Sequence, residues 1–372
     1  MWTKEQEQAI YKTGTNIIVS AGAGSGKTAV LTERVITKLK SGININELLI
    51  LTFTNAASAE MKERIREKIV KAKGLDRQLD LLTNAYICTF DSFSLSLVKK
   101  YHYVLNIDST VSIMDDNVNY LQASSILDEI MDELYQKKDA NFAKLITEYC
   151  IKDDKQVKQG ILDLYKKIDL LVDKDTYLQN YDALDNALIY YKDFENLALK
   201  MIKNIYKLTC SSYDIDLSDY QNYLSKFIEG TYDINKFKEK YDLPRLKKNT
   251  DEETKQLKDL LNKEIEKVQD FIGEESKDTK IARYLSTKDN VYTIIQIILD
   301  LDKRLNNFKK LTNTYTFMDI AKMAIRLVKE NEEIRLDLLN TFKEIMIDEY
   351  QDTSDIQEYF VSMIANNNVY AV

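Results

Sequence analysis

Residues 21–28 read Ala21-Gly22-Ala23-Gly24-Ser25-Gly26-Lys27-Thr28, a run of small side chains closed by a lysine and a hydroxyl. Small residues let a backbone wrap phosphate oxygens with its amides turned inward, and a helix opening at the lysine adds positive potential. Lys27 is placed to reach β- and γ-phosphates, and the Thr28 hydroxyl to ligate Mg²⁺. The strict pattern has glycine where this chain has Ala21. A glycine-rich turn without nucleotide is the plainer reading. The apolar run before the loop (Ile17 to Val19) and the helical pattern after it favour a phosphate site. A second signal lies far downstream, where Asp348-Glu349 closes the apolar run Ile345-Met346-Ile347. Asp348 would hold Mg²⁺, usually through water, and Glu349 would orient and deprotonate an attacking water. Two adjacent acids alone read equally well as a solvated turn. With an apolar strand before them and a lysine loop upstream, they form the second half of a P-loop ATPase.

These side chains need a frame that brings residue 27 to residue 349. Short apolar runs, Ile17-Ile18-Val19, Leu48 to Leu51 and Tyr86 to Cys88, read as buried strands. Between them Val30, Leu31, Val35, Ile36 and Leu39 draw a helical stripe, and Met61, Ile65 and Ile69 draw another. The same grammar returns at Ile345 to Ile347 and Val369 to Val372. Strands alternating with helices predict an α/β fold built on a parallel sheet. Glycine crowds the front of the chain, at Gly14, Gly22, Gly24, Gly26 and Gly42, as the tight turns of such a fold require.

The middle, from about Tyr101 to about Leu311, reads differently. Leu127, Ile130, Met131 and Leu134 keep helical spacing, as do Ile294, Ile297, Ile298 and Leu301; Leu257, Leu260, Leu261, Ile265 and Val268 draw a further stripe. A break is expected around Asp242-Leu243-Pro244-Arg245. The expected organisation is therefore a first α/β part over 1–100, a large all-helical insertion over 101–311, and a second α/β part over 312–372.

Bulk properties exclude several classes. At 372 residues, with 44% hydrophobic and 30% charged side chains, the chain fits a soluble globular protein of two domains. No uninterrupted apolar stretch is long enough to span a membrane, and the N-terminus lacks the pattern of a signal peptide, so a cytoplasmic location is expected. Cys88, Cys150 and Cys210 are scattered, which predicts reduced, buried thiols rather than disulfides or a zinc site. His102 alone builds no metal cluster and reads as a surface or packing residue. The net charge of −8 argues for no basic nucleic-acid face, although a motor that grips a few nucleotides can use a local groove.

Four motifs then resemble a known group in its order. Asp348-Glu349-Tyr350-Gln351-Asp352-Thr353 resembles motif II of the UvrD/Rep/RecB group of superfamily 1A helicases. Leu51-Thr52-Phe53-Thr54-Asn55-Ala56-Ala57-Ser58-Ala59-Glu60-Met61 resembles its motif Ia. Cys88-Thr89-Phe90-Asp91-Ser92-Phe93 resembles motif Ib, where the group normally has histidine in place of Asp91. The resemblance covers both α/β parts and implies a RecA-like P-loop domain (1A) carrying the helical insertion (1B). It implies DNA contacts from Thr52, Phe53, Thr54, Asn55, Thr89 and Phe90. Phe53 and Phe90 follow strands, where a ring can stack on a base for about 1–3 kcal/mol; core packing is the rival reading for each. Thr52, Thr54 and Asn55 could bond phosphate and sugar. Gln6 matches the group's adenine-reading glutamine, while Thr3 with Gln6 three residues on also reads as a capping box. Phe317-Met318-Asp319 resembles an element beside the DNA path, with an N-cap aspartate as the alternative.

The long gap between Asp91 and Asp348, the opening Trp2-Thr3-x-x-Gln6, Ala29 and the form of motif II are most similar to the AddA-type helicase–nuclease branch of the group. That resemblance implies a 3′-to-5′ ATP-dependent DNA motor. It would work with a second, AddB-like polypeptide on single-stranded DNA and duplex ends, in recombinational repair of double-strand breaks. A UvrD/PcrA-like repair helicase without a nuclease, or a non-motor nucleotide-dependent DNA-binding remnant, are the alternatives. The sequence stops at Val372, before motif III, so weak Mg-ATP binding without unwinding is expected of these residues alone.

Overall fold

The computed structural model describes residues 2–22, 24–150, 152–181, 187–210, 215–238, 243–246 and 250–372. Its strands are β1 (Ile17–Ile18), β2 (Leu48–Thr52), β3 (Tyr86–Thr89), β4 (Ser112–Ile113), β5 (Thr314–Tyr315), β6 (Glu344–Ile347) and β7 (Val369–Ala371). One sheet has the order β1-β7-β6-β2-β3, with every neighbouring pair parallel. The apolar runs expected as strands are these five. All of β2 and β6 is buried, as a parallel sheet covered on both faces demands.

Side chains alternate along each strand, and the two faces collect different helices. Leu48, Ile50, Met346 and Tyr370 pack with the helices Lys27–Lys40 and Asn55–Lys71. Leu49, Leu51, Ile345 and Ile347 pack with the helices Phe90–Lys100, Phe317–Glu330 and Asp355–Ile364. The stripes expected in the first two helices are the buried ones: Val30, Leu31, Val35, Ile36 and Leu39 in one, Met61, Ile65 and Ile69 in the other. Each such side chain contributes roughly 1.5–3 kcal/mol on burial.

The chain divides into two compact units. The first comprises Met1–Leu134, Asp153–Lys174 and Ile297–Val372, and contains the sheet; the second comprises Tyr135–Lys152 and Asp175–Gln296. In the second, the helices Ala187–Thr209, Ser218–Ile228 and Glu252–Ile272 close on Ile202, Leu224, Phe227, Leu261 and Val268. Leu260, expected on the buried stripe, is exposed, because a stripe set by Leu257, Leu261, Ile265 and Val268 is narrow. Residues 243–246 form no regular element, in keeping with the break expected at Pro244; Asp242 lies outside the described residues.

One strand interrupts the stretch expected to be wholly helical. β4 pairs in parallel with β5, joining Ser112 to Thr314 and Ile113 to Tyr315. Two-residue strands carry too little periodicity to be read from sequence. The cysteine expectation also needs correcting: Cys88 and Cys150 are partly buried, whereas Cys210 is exposed.

The helix Lys27–Lys40 is fixed by Arg34, which has no exposed surface. Its guanidinium donates to the Ala9 and Ile10 carbonyls at 2.9 and 3.1 Å, and its Nε donates to Glu344 Oε2 at 3.1 Å. Nη2 pairs with Glu344 Oε1, and the guanidinium lies 4.4 Å from the centre of the Tyr370 ring. Breaking a buried pair on one side strands the other charge. Arg34→Met is therefore expected to cost about 3 kcal/mol, read as a lower urea midpoint in Trp2 fluorescence. Adding Glu344→Leu is expected to restore much of it; no recovery in the double variant would refute a pairwise cause.

Candidate functional site

Because the strands are parallel, the loops after β1, β2, β3 and β6 open on one edge of the sheet, where α/β folds assemble their sites. The loop after β1 turns through Gly24 and Gly26, at φ of 76° and 83°. Ser25 N donates to Gly22 O at 3.3 Å, Gly26 caps the helix, and Val30 N donates to Gly26 O at 3.0 Å. The helix starts at Lys27, so its first amides face the loop. Thr28 is half-buried beside them, and Ala21 and Gly22 lead into the turn. Ala23 lies outside the described residues.

Gln6 is engaged at both ends. Its Oε1 accepts from Thr3 N at 2.9 Å, completing the capping box with Thr3. Its Nε2 donates to Ser25 O at 3.1 Å, so the same side chain touches the loop. The two sequence readings of Gln6 are thus not exclusive in space, although a ligand would have to displace the Ser25 bond.

The loop and the acidic pair meet. Lys27 Nζ lies 3.5 Å from Glu349 Oε2, across 322 residues of sequence. Glu349 stands at φ 56° and ψ 51°, a left-handed conformation that costs a non-glycine residue about 1–2 kcal/mol. Neighbouring bonds hold it there: Asp348 N donates to Leu51 O at 2.9 Å and Tyr350 N to Val372 O at 2.8 Å. Gln351 donates its amide to Glu349, and this bond, together with Lys27, holds the Glu349 carboxyl below the usual carboxylate range. Asp348 moves the other way, pushed up first by burial and then by the adjacent Glu349 charge. Two neighbouring carboxyls with diverging proton affinities suit different roles. A cation at Asp348 would relieve both causes of its shift. The hydroxyl of Thr28 and the carboxylate of Asp348 are hard oxygen donors of the kind Mg²⁺ takes.

The residues after β2 and β3 separate by exposure. Thr52 is buried, its hydroxyl on Thr54 O at 3.1 Å and Ser58 Oγ at 2.5 Å. Thr54 and Asn55 are exposed, and Thr54 caps the helix that follows by accepting from Ala57 N at 3.0 Å. Thr89 caps the next helix through Ser92 N at 3.1 Å. Phe53 is 64% exposed, but Phe90 is buried with its ring edge-on to Phe360, 5.5 Å between centres. Stacking on a base therefore falls to Phe53 alone, since the Phe90 ring is enclosed by the core. An open pocket of about 150 Å³ joins Thr52, Phe53, Thr89, Asp91, Asp348 and Glu349 at this edge. Asp91 is half-buried there, and burial pushes its carboxyl up.

Phe317 is exposed at the start of its helix. Thr316, not Asp319, is the N-cap; Asp319 is the third helical residue, accepting from Thr316 N at 2.8 Å and pairing with the buried Lys309 at 2.7 Å. His102 Nδ1 lies 3.1 Å from Ile107 O, a packing role. Among the described residues no His, Cys, Asp and Glu group is arranged to hold a metal by itself. Sequence reasoning missed Arg34, Glu344 and Gln351. The available signal was an arginine inside an apolar stripe and a glutamate opening an apolar strand, each costly unless paired.

The family described as the UvrD/REP helicase N-terminal domain matches residues 2–372. Two curated proteins named as type-A subunits of an ATP-dependent helicase/nuclease, from Clostridium botulinum strains Loch Maree and Okra, are 29% and 30% identical over 412 residues. Each alignment covers 98% of this chain and 32% of the relative. The protein of that name from Pediococcus pentosaceus is 29% identical over 415 residues, covering 98% of this chain and 33% of its own. The chain thus spans about a third of the length of the curated relatives it matches.

The two left-handed glycines give a test of the loop. A Cβ at Gly24 meets nothing within 4 Å, and one at Gly26 meets only Gln6 Nε2, at 3.5 Å. The cost of Gly24→Ala or Gly26→Ala is therefore conformational, about 1–2 kcal/mol each in urea unfolding. Gly22→Ala, where space is open and φ is not positive, is expected within about 0.5 kcal/mol of the parent. Equal losses at all three positions would contradict the turn geometry.

Proposed function

The chain belongs to the UvrD/REP helicase family, and from that premise we propose that it is the ATP-binding part of a DNA helicase that serves in a helicase/nuclease. The observation that carries this reading is the meeting of Lys27 with Glu349 at one sheet edge, 3.5 Å apart, with an exposed aromatic beside it. In this reading the backbone of Ala21 to Gly26 and the Lys27 ammonium hold the phosphates of ATP. Thr28 and Asp348 hold Mg²⁺, which when bound neutralises charge on the phosphate oxygens. Glu349, kept ionised by Gln351 and Lys27, accepts a proton from the attacking water. Gln6 leaves Ser25 to read the adenine.

Nucleotide arrival competes with the Lys27–Glu349 pair. Phosphate replaces the carboxylate at the ammonium, and Glu349 is released toward the water it activates. The acid is thus positioned only when phosphate is present, so binding itself arms the base. On the DNA side, Phe53 stacks on a base while Thr54 and Asn55 contact the backbone; Thr52, Thr89 and Phe90 shape the loops that carry them. By the same resemblance the motor moves 3′ to 5′ in the cytoplasm. Its partner is then an AddB-like polypeptide, and its substrate is single-stranded DNA and broken duplex ends.

Titration of the chain with a fluorescent ATP analogue and Mg²⁺ tests the site. Lys27→Ala is expected to abolish binding, and unchanged affinity would sink the assignment. Glu349→Gln removes the competitor for Lys27 and is expected to tighten binding up to about fivefold, the worth of an exposed ion pair. For the DNA side, Phe53→Ala is expected to weaken single-strand binding by about 1–3 kcal/mol, measured by anisotropy; an affinity equal to the parent's would remove Phe53 from the path.

A further inference from the structure

Asp91 has no hydrogen-bond or ion-pair partner among the described residues, although it is half-buried. Its neighbours at the same edge are engaged. Thr89 is held by Ser92, Thr52 by Thr54 and Ser58, and Glu349 by Lys27 and Gln351. Its position in the first turn of a helix is electrostatically favourable, but that benefit would be equal with the carboxylate in water. Desolvating an acceptor without a donor is costly, and the pocket into which Asp91 is set also contains the exposed Phe53. At about 150 Å³ the pocket has room for one aromatic ring.

The chemistry of the lining narrows what enters. Asp91, Asp348, Glu349 and Asp352 line it with no lysine or arginine, so a phosphate is repelled there. A nucleobase edge carries hydrogen-bond donors and no negative charge. We propose that Asp91 reads the single strand, its carboxylate accepting the exocyclic amino group of a base stacked at Phe53, so that cytosine is preferred to thymine at that position. Cytosine presents an N4 amino donor where thymine presents the O4 acceptor, and carboxylates pair with the former. Both are pyrimidines, so stacking on Phe53 does not separate them. This specificity rests on the single-stranded DNA binding proposed above.

The test is anisotropy of labelled oligo(dC) and oligo(dT) of equal length, at one salt concentration and neutral pH. The parent chain is expected to bind oligo(dC) roughly tenfold tighter, the scale of one base-edge contact. Asp91→Ala is expected to erase the difference. The isosteric Asp91→Asn, which keeps the shape should alanine disturb folding, is expected to do the same, since an amide can donate to O4 as well as accept from N4. Equal affinities in the parent, or a preference that survives both variants, would overturn the assignment while leaving DNA binding intact. Binding of neither oligonucleotide would instead remove the DNA reading and this inference together.

Discussion

One guanidinium holds the catalytic half of this fold in register. Arg34 sits with no exposed surface between the N-terminal helix Lys4–Tyr11, the phosphate-loop helix and the first residue of β6. A charge so placed is tolerable only when its donors are matched, and here two backbone carbonyls and both oxygens of Glu344 match them. Lys38 adds a second cation to Glu344 at 3.1 Å. The consequence is geometric. Lys27 lies about two helical turns before Arg34, and Asp348 follows Glu344 at the far end of β6. The pair therefore fixes the spacing between the two loops that must share one phosphate. Tyr370 beneath the guanidinium has its hydroxyl pushed up to about 12 by burial, a sign of how dry that layer is.

A second set of buried charges fixes the other side of the sheet. Lys174 donates to Asp169 at 2.8 Å and to Asp302 at 2.5 Å, and Lys322 reaches Asp169 at 2.7 Å. Burial opposes the charge on Lys174, but Asp169 and Asp302 outweigh it and hold the ammonium above the ordinary lysine range. Asp169 is in turn held below its usual range by the two lysines, against burial. Tyr165 donates to Asp302 at 2.8 Å, and Lys309 closes on Asp319. Such networks are sensitive to partial satisfaction, so the start of the helix Phe317–Glu330 has one well-defined place. That helix packs on Phe90–Lys100, whose first turn carries Asp91.

The site itself stores modest strain and separates like charges. Glu349 occupies a left-handed turn that backbone bonds on both sides enforce. Left-handed non-glycine residues concentrate where function requires one orientation. The turn throws Asp348 toward the sheet, where burial raises its proton affinity, and Glu349 outward to Lys27 and Gln351, where it stays ionised. One dipeptide thereby offers a carboxyl that welcomes a cation and another that can work as a base.

The chain legibly encodes its phosphate loop, its strands and its acidic pair, because each depends on local chemistry. Only glycine takes the backbone of Gly24 and Gly26 cheaply, and apolar runs such as Leu48 to Leu51 have no stable place except a sheet buried on both faces. Helix stripes follow from a period of 3.6 in the same way. Exposure after a strand is not local. Phe53 and Phe90 occupy equivalent places in two similar motifs, yet one is solvent-facing and the other packs on Phe360, far away in sequence. The pairings Lys27 to Glu349 and Arg34 to Glu344, and the setting of Asp91, likewise depend on which distant elements become neighbours. Sequence spacing sets what each side chain can do. Only the packed sheet, by deciding which groups lose water together, sets what each one meets.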